Sequence, residues 1–121
     1  MAAQALKRHA GSGGEDLACA WLERQGYRIV ERNWRCRSGE VDVVARQGRV
    51  TVFVEVKERR NPAHGLGVEA VTWSKRQRLV RAARLYAAAN GLTETDLRFD
   101  VVSVDGREIR HEPGAFDSDG S

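Results

Sequence analysis

The chain has 121 residues, of which 41% are hydrophobic and 31% charged, a balance that fits one folded domain with one core. Residues 1–110 carry a formal charge of +6, from 20 basic and 14 acidic side chains, which suits a polyanionic partner, although a solvated basic surface would look the same. Two cysteines exclude a disulfide scaffold and a paired zinc site. Since no stretch approaches the roughly 20 apolar residues of a membrane span, we expect a cytoplasmic protein with no membrane partner.

The first predicted element is a helix over residues 14–25. Its apolar positions recur at helical spacing, and Gly26 is a typical stop. The apolar stripe consists of Leu17, Ala18, Trp21 and Leu22. Glu15 lies in the first turn at the border of this stripe, where it either faces the interior or simply complements the helix dipole.

Strands and a second helix follow along the chain. Segments rich in valine or alternating in polarity predict strands over residues 27–34, 40–45, 50–57 and 98–104. An Ala-, Leu- and Arg-rich segment predicts a helix from about residue 72 or 74 to residue 90, after a loop at residues 61–67. Residues 1–110 are therefore interpreted as one α/β domain of order α-β-β-β-α-β, followed by a disordered acidic tail over residues 111–121.

The second and third predicted strands meet at Gln47-Gly48, a tight-turn signal. A two-residue loop at this place pairs Glu40 with Glu55 and Asp42 with Phe53, and directly opposed residues point to the same side of a sheet. The polar residues that strand alternation then places on one face are Glu40, Asp42, Glu55 and Lys57.

This polar face predicts a metal site. In the predicted register Asp42 and Glu55 are diagonal neighbours, about 7–8 Å apart at the backbone, within reach of one ion. Clustered carboxylates repel each other, and Mg²⁺, or Mn²⁺ in its place, is held by one or two carboxylates together with water and phosphate. Lys57 would then orient or deprotonate the attacking water, or neutralise charge on phosphate. The alternative is a set of solvated charges on the exposed face of an edge hairpin.

Four segments carry a resemblance to a known family. They are Glu15 on a helix, Gly39-Glu40-Val41-Asp42 on a strand, Phe53-Val54-Glu55-Val56-Lys57-Glu58-Arg59 on the next strand, and Lys75-Arg76-Gln77 on a second helix. In this order they resemble the YraN family, over residues 14–105. The resemblance implies a PD-(D/E)XK nuclease-like fold, similar to Holliday-junction resolvases, with a restriction-endonuclease-like mixed sheet flanked by helices. Val41 stands where the motif's name has proline.

The resemblance also implies roles for individual residues. Asp42, Glu55 and Lys57 match the motif and would be catalytic. Supporting roles are implied for Glu15 on the first helix and for Lys75 and Gln77 on the second. The carboxylates expected to reach the metal ion are those of Asp42, Glu55, Glu15 and Glu40.

The expected function is that of a metal-dependent endonuclease that hydrolyses DNA, with branched or structured DNA as one candidate substrate. The residues expected to contact nucleic acid, DNA rather than RNA, are Lys75, Gln77, Arg59, Arg78 and Arg81. Part of this set belongs to a ridge that steps by three along the helix from Lys75 to Arg84, where a solvated helix face is the alternative. A module that binds nucleic acid without cutting is the second functional hypothesis, and an assembly protein that docks a protein partner on its acidic face is the third. A homodimer is left open.

Overall fold

The computed structural model describes residues 13–59, 71–92, 96–106 and 108–121. Its elements in chain order are α1 (Gly13–Arg24), β1 (Arg28–Cys36), β2 (Gly39–Gln47), β3 (Val50–Arg59), α2 (Trp73–Ala89), β4 (Leu97–Asp105) and β5 (Glu108–Phe116). The predicted α/β class is confirmed, with one strand more than expected. The predicted loop at residues 61–67 lies outside the described residues. No helix within these ranges is long and apolar enough to cross a membrane.

The strands form one mixed sheet in the order β1-β2-β3-β4-β5. Neighbouring strands are antiparallel except for β3 and β4, which run parallel. A parallel pair needs a crossover connection, and α2 lies in the connection between these two strands. The strand that carries Glu55 and Lys57 is therefore central, with a neighbour on each side.

A hydrophobic core lies on each face of the sheet. Beneath α2, the ring of Phe53 lies 5.8 Å from that of Tyr86 and 5.7 Å from that of Phe99, measured between centroids. Beneath α1, the flanking residues Val52 and Val54 pack with the buried side of that helix. The valine-rich strand β3 is buried on both faces because each face has its own helix.

The hairpin between β2 and β3 has a different register from the predicted one. Gln47 pairs with Val50, so the turn is Gly48-Arg49, and Val44 rather than Asp42 lies opposite Phe53. Gly48 takes a positive φ of 60°, a backbone conformation that glycine adopts readily and that two-residue hairpin turns require. Because the shift is two residues, it leaves residue parity unchanged, so side chains keep their expected faces wherever alternation is regular.

Alternation is not regular at Asp42. Regular alternation would place Val41 and Val43 on one face, but Val41 packs beneath α2 and Val43 beneath α1. The neighbouring strand changes face at the same level, because Arg32 pairs with Val43 and Trp34 pairs with Val41. Asn33, between them, has φ of +54°, the one positive φ outside glycine in the described ranges. Both strands thus turn over at the level of Asp42.

Strand β5 corrects the predicted tail. Residues 111–121 were expected to be disordered, but β5 continues to Phe116 and pairs antiparallel with β4. The buried carboxylate of Asp100 holds this strand, since Nε2 of His111 lies 2.7 Å from its Oδ2 and the amide of Gly114 donates to its Oδ1 at 3.0 Å. The boundary placed at residue 110 therefore falls inside a strand.

Candidate functional site

The side chain of Asp42 joins β2 to the strand of the Glu-x-Lys motif. The ladder of residue pairs between β2 and β3 runs from Gln47↔Val50 to Val43↔Val54. Just beyond it, the amide of Val56 donates a hydrogen bond of 2.9 Å to Oδ2 of Asp42. A carboxylate therefore binds the main chain between Glu55 and Lys57, at the place where β2 turns over.

This position is electrostatically costly for Asp42. Burial raises the pKa of Asp42, the charge of Glu55 raises it further, and the hydrogen bond from Val56 only partly offsets both, so that the pKa reaches about 8. The charges of Glu15 and Glu40 add smaller increases. At neutral pH the apo protein therefore favours a protonated Asp42 beside Glu55.

Glu55 shares this environment but has basic neighbours. Burial raises the pKa of Glu55, while the charges of Lys57 and Lys75 pull it back. A smaller increase comes from Glu40, and Arg78 adds a smaller decrease. Two half-buried carboxylates on adjacent strands, with a lysine two residues further along β3, are thus the centre of the candidate site.

The residues that could hold a hard divalent cation are Asp42 and Glu55. A cation between them would offset both the cost of burying their charges and the repulsion between those charges. Mg²⁺ commonly uses one or two carboxylates, with water completing its shell. Over the described ranges no group of three or more His, Cys, Asp and Glu side chains is arranged to hold a metal ion. The expected four-carboxylate set is therefore not gathered at one point, and the pair Asp42 and Glu55 is what these strands bring together.

Glu15 is anchored to β1. Its Oε1 accepts hydrogen bonds from Nη2 of Arg32 at 2.9 Å and from Nδ2 of Asn33 at 2.9 Å. The same guanidinium also donates to Oδ1 of Asp16 at 2.7 Å. Glu15 is thus buried at the start of α1, as its place beside the apolar stripe indicates, and it fixes the residue of β1 that has positive φ. Through these contacts Glu15 holds the part of β1 that lies beside Asp42.

Glu40 lies at the start of β2 and is more exposed. Its Oε1 is 3.3 Å from Nε of Arg35 on the paired strand. Its charge acts on both Asp42 and Glu55, as their raised pKa values record. Glu40 therefore contributes to the field around the carboxylate pair while being held by an arginine.

The predicted basic ridge on α2 is divided by the structure. Lys75 and Arg78 lie close enough to Glu55 to act on its pKa, so the first part of α2 borders the carboxylate pair. Gln77 instead donates to the main-chain oxygen of Asp119 at 2.7 Å, and Arg84 donates to that of Ser118 at 3.1 Å. The C-terminal residues thus cover the part of the α2 surface that carries Gln77 and Arg84. Arg81 is exposed, and the side chain of Arg59 lies outside the described part of the chain.

Two residues of this region were not singled out from the sequence. Asn33 was missed because nothing in a strand-like segment signals positive φ, although asparagine adopts it more readily than most residues. Ser103 pairs with Lys57 across the parallel strands, and its buried Oγ has no hydrogen-bond partner among the described residues. A water molecule or a ligand oxygen beside Lys57 would supply the hydrogen-bond partner that the hydroxyl of Ser103 needs.

The part of the chain that forms the sheet and its helices also resembles known proteins. Residues 14–104 match the model of a family described as "Uncharacterised protein family UPF0102". A "UPF0102 protein" of Syntrophotalea carbinolica is 47% identical over 91% of this chain and 93% of its own length. Another of that description from Myxococcus xanthus is 45% identical over 97% of this chain and 96% of its own length. The matched residues include the whole carboxylate region, and the chain belongs to the UPF0102 (YraN) family.

Proposed function

We propose that the protein is a metal-dependent nuclease that hydrolyses phosphodiester bonds in DNA. The observation that carries the proposal is the pair of half-buried carboxylates, Asp42 and Glu55, on adjacent strands. The charge of Glu55 raises the pKa of Asp42, and the charge of Lys57 lowers that of Glu55. Two repelling, half-buried carboxylates cost free energy when nothing positive lies between them. A divalent cation bound by both would offset that cost. The ordered motif residues and their resemblance to nucleases support the same interpretation.

The chain's own residues have separable roles in this proposal. Asp42 and Glu55 would hold Mg²⁺ or Mn²⁺, which supplies Lewis acidity toward phosphate and water when bound. Lys57 orients or deprotonates the attacking water, or compensates negative charge that develops on phosphate. Val56 contributes its amide, which fixes the carboxylate of Asp42. Glu15 and Asn33 act further away, by holding β1 at the level of Asp42.

The nucleic acid would approach along the first part of α2. Lys75 and Arg78 border the carboxylates and Arg81 lies on the exposed surface of the helix, so that the three can contact phosphates of one strand. Gln77 joins this surface only if the C-terminal residues leave it. Since phosphate contacts release counterions, affinity should fall steeply with salt. A cytoplasmic location, where nucleic acid is accessible, is part of the proposal.

A module that binds nucleic acid without cutting it is the second candidate. It is favoured by the absence, among the described residues, of a third carboxylate or histidine that completes a metal-holding group. A shared fold does not by itself imply catalysis.

The experiment combines cutting, metal binding and nucleic-acid binding. Wild-type protein and Glu55→Gln are incubated with linear, flapped and four-way DNA in Mg²⁺ or Mn²⁺, with isothermal titration of each metal alongside. We expect wild type to cut and to bind metal, and Glu55→Gln to lose both while it still binds DNA. Exposed Glu23→Gln on α1 is the matched control. Binding of DNA by wild type without metal binding or cutting would leave the binding module as the function, and cutting by Glu55→Gln at the wild-type rate would assign the activity to other residues.

A further inference from the structure

A cavity of about 390 Å³ opens beside the carboxylate pair, between the β1–β2 turn and α2. It is shallow and broadly open to solvent, and the residues that line it come from the end of β1, the turn, the start of β2 and one residue of α2. The charged or polar residues that line it are Arg35, Arg37, Ser38, Glu40 and Arg78. Two of them, Glu40 and Arg78, also act on the pKa of Glu55.

The charge of the cavity is positive. Glu40 is opposed by Arg35, whose Nε lies 3.3 Å from its carboxylate. Within the described residues neither Arg37 nor Arg78 forms an ion pair with an acidic side chain. Two guanidinium groups, with the hydroxyl of Ser38, are therefore available to an anion, and guanidinium groups match the oxygen geometry of phosphate.

The walls of the cavity are held in place. Sγ of Cys36 lies 3.5 Å from the main-chain oxygen of Gly39 and closes the turn. Gly39 has φ of +150°, a value that side chains rarely adopt, and a Cβ placed on it would lie 3.5 Å from Cβ of Arg78. The turn thus packs directly against α2 at Arg78, so that a β-hairpin and a helix present their arginines to one space.

The cavity adjoins the carboxylate pair. Arg78 and Glu40 line it, and both act on the pKa of Glu55, which places that carboxylate within the range of their charges. Successive phosphates of one strand of duplex DNA follow each other at about 3.4 Å along the helix axis. An anion in the cavity would therefore be a near neighbour, along the same strand, of a phosphate at Asp42 and Glu55.

We propose that this cavity binds one backbone phosphate of the nucleic-acid strand, through Arg37 and Arg78 together, and so sets which phosphodiester lies at the carboxylates. This rests on the proposed function, since it names the part of the substrate that is gripped beside the same site. Arg37, on the turn, is the residue that this proposal adds to the binding surface. The two arginines act as a unit because they face the same phosphate.

The test measures DNA affinity without divalent cations, so that cutting plays no part. Fluorescein-labelled single-stranded and duplex 20-mers are titrated with full-length wild type, Arg37→Gln, Arg78→Gln and the double variant at several salt concentrations. We expect each single variant to bind about 5- to 10-fold more weakly at low salt and to lower the slope of log K against log salt by about 1. The double variant should also lower the slope by about 1, and not by 2, because one phosphate is lost in every case.

The control is Arg28→Gln, an exposed arginine at the opposite end of β1. If Arg37→Gln binds like Arg28→Gln, or if the double variant lowers the slope by about 2, the shared phosphate is wrong while nucleic-acid binding stands. If wild type binds no DNA, the proposed function falls, and a titration with inorganic phosphate decides about the cavity alone. Shifts of the amide signals of Ser38 and Gly39 that disappear in Arg37→Gln would support an anion cavity, and their absence in wild type would overturn it.

Discussion

The amide of Val56 donates a hydrogen bond of 2.9 Å to the carboxylate of Asp42, so a side chain joins β2 to β3 where the regular ladder stops. Because of this bond, the charge of Asp42 and its role as a hydrogen-bond acceptor can be tested separately by substitution. Asn at position 42 can still accept from Val56 but carries no charge, whereas Ala leaves a half-buried amide without that partner. Both substitutions remove the repelling charge, but only Asp42→Ala also removes the hydrogen bond, so the Ala variant should be the less stable of the two.

We predict that Asp42→Asn stabilises the apo protein at pH 8, and that Asp42→Ala destabilises it by about 1–3 kcal/mol relative to Asp42→Asn. Urea unfolding in the presence of a chelator measures both. Asp105→Asn, at the end of β4, is the control for removal of an acidic charge from the sheet. Equal stability of the Asn and Ala variants would show that the bond to Val56 contributes nothing.

A second prediction concerns pH. Folding raises the pKa of Asp42 from about 3.8 to about 8 because burial and the charge of Glu55 disfavour its charged form, and burial also raises the pKa of Glu55. The native state then binds more protons than the unfolded state between these values, so the stability of the apo protein falls as pH rises from about 4 to about 8. Asp100 acts at the acid end, since its lowered pKa makes stability fall only as pH drops below about 4.

The measurement is the free energy of unfolding in chelator at pH 5 and pH 8.5. Wild type should lose on the order of 2 kcal/mol over this range, and the double variant Asp42→Asn with Glu55→Gln should lose much less. Addition of Mg²⁺ or Mn²⁺ at pH 8.5 should restore stability in wild type only. A flat profile in wild type would mean that neither burial nor repulsion raises the pKa values of these carboxylates in solution.

A third prediction separates Lys57 from the metal ligands. Lys57→Ala should reduce cutting by about 100-fold or more, because the lysine acts on water or phosphate. Metal affinity at pH 8 should change little, although the loss of a positive charge that lowers the pKa of Glu55 should make metal binding weaken sooner as pH falls. Lys57→Arg is the matched control, since it keeps the charge but not the compact ammonium. Unchanged cutting by Lys57→Ala would remove Lys57 from the mechanism.

A fourth prediction concerns β5 and the buried carboxylate of Asp100. Burial alone would raise the pKa of Asp100, but hydrogen bonds from Arg98, His111 and the amide of Gly114 outweigh it and hold the pKa below its usual range. Asp100→Asn leaves Arg98 without its charged partner and should destabilise the protein by about 3 kcal/mol. Hydrogen exchange should show faster opening of β5 amides than of β2 amides. A change below about 0.5 kcal/mol would mean that β5 is held by its apolar contacts alone.

Local patterns predicted both helices and four strands, because Val-rich segments and the Ala-, Leu- and Arg-rich segment have strong propensities that their cores reinforce. Strand β5 was not predicted because His111-Glu112-Pro113-Gly114 has low strand propensity. The strand is held instead by contacts with Asp100, which lies earlier in the sequence. The register was shifted by two residues because a glycine can occupy either position of a two-residue turn.

The sequence predicted which residues belong to the candidate site, but not how the backbone arranges them. The sequence pattern predicted Asp42 and Glu55 as diagonal neighbours on adjacent strands, and they remain neighbours because a register shift of two residues keeps residue parity. It could not show that the strand turns over at Asp42, because this depends on Asn33 in another strand and on Glu15 in a helix. The position of Gln77 likewise depends on where the last residues of the chain lie.

The parallel pairing of β3 and β4 has a consequence for the order of folding. β1, β2 and β3 are joined by short turns, so they can associate through contacts that are local in sequence, whereas β4 reaches β3 only after the crossover through α2 has closed. Contacts between distant segments form slowly because chain closure comes first. Asp42 and Glu55 meet in the early hairpin, but Glu55 gains its second neighbouring strand only in that late step. The burial that makes the two charges costly is therefore completed largely after chain closure, which is the rate-limiting barrier. We expect neutralisation of these carboxylates to slow unfolding while leaving the rate of folding nearly unchanged.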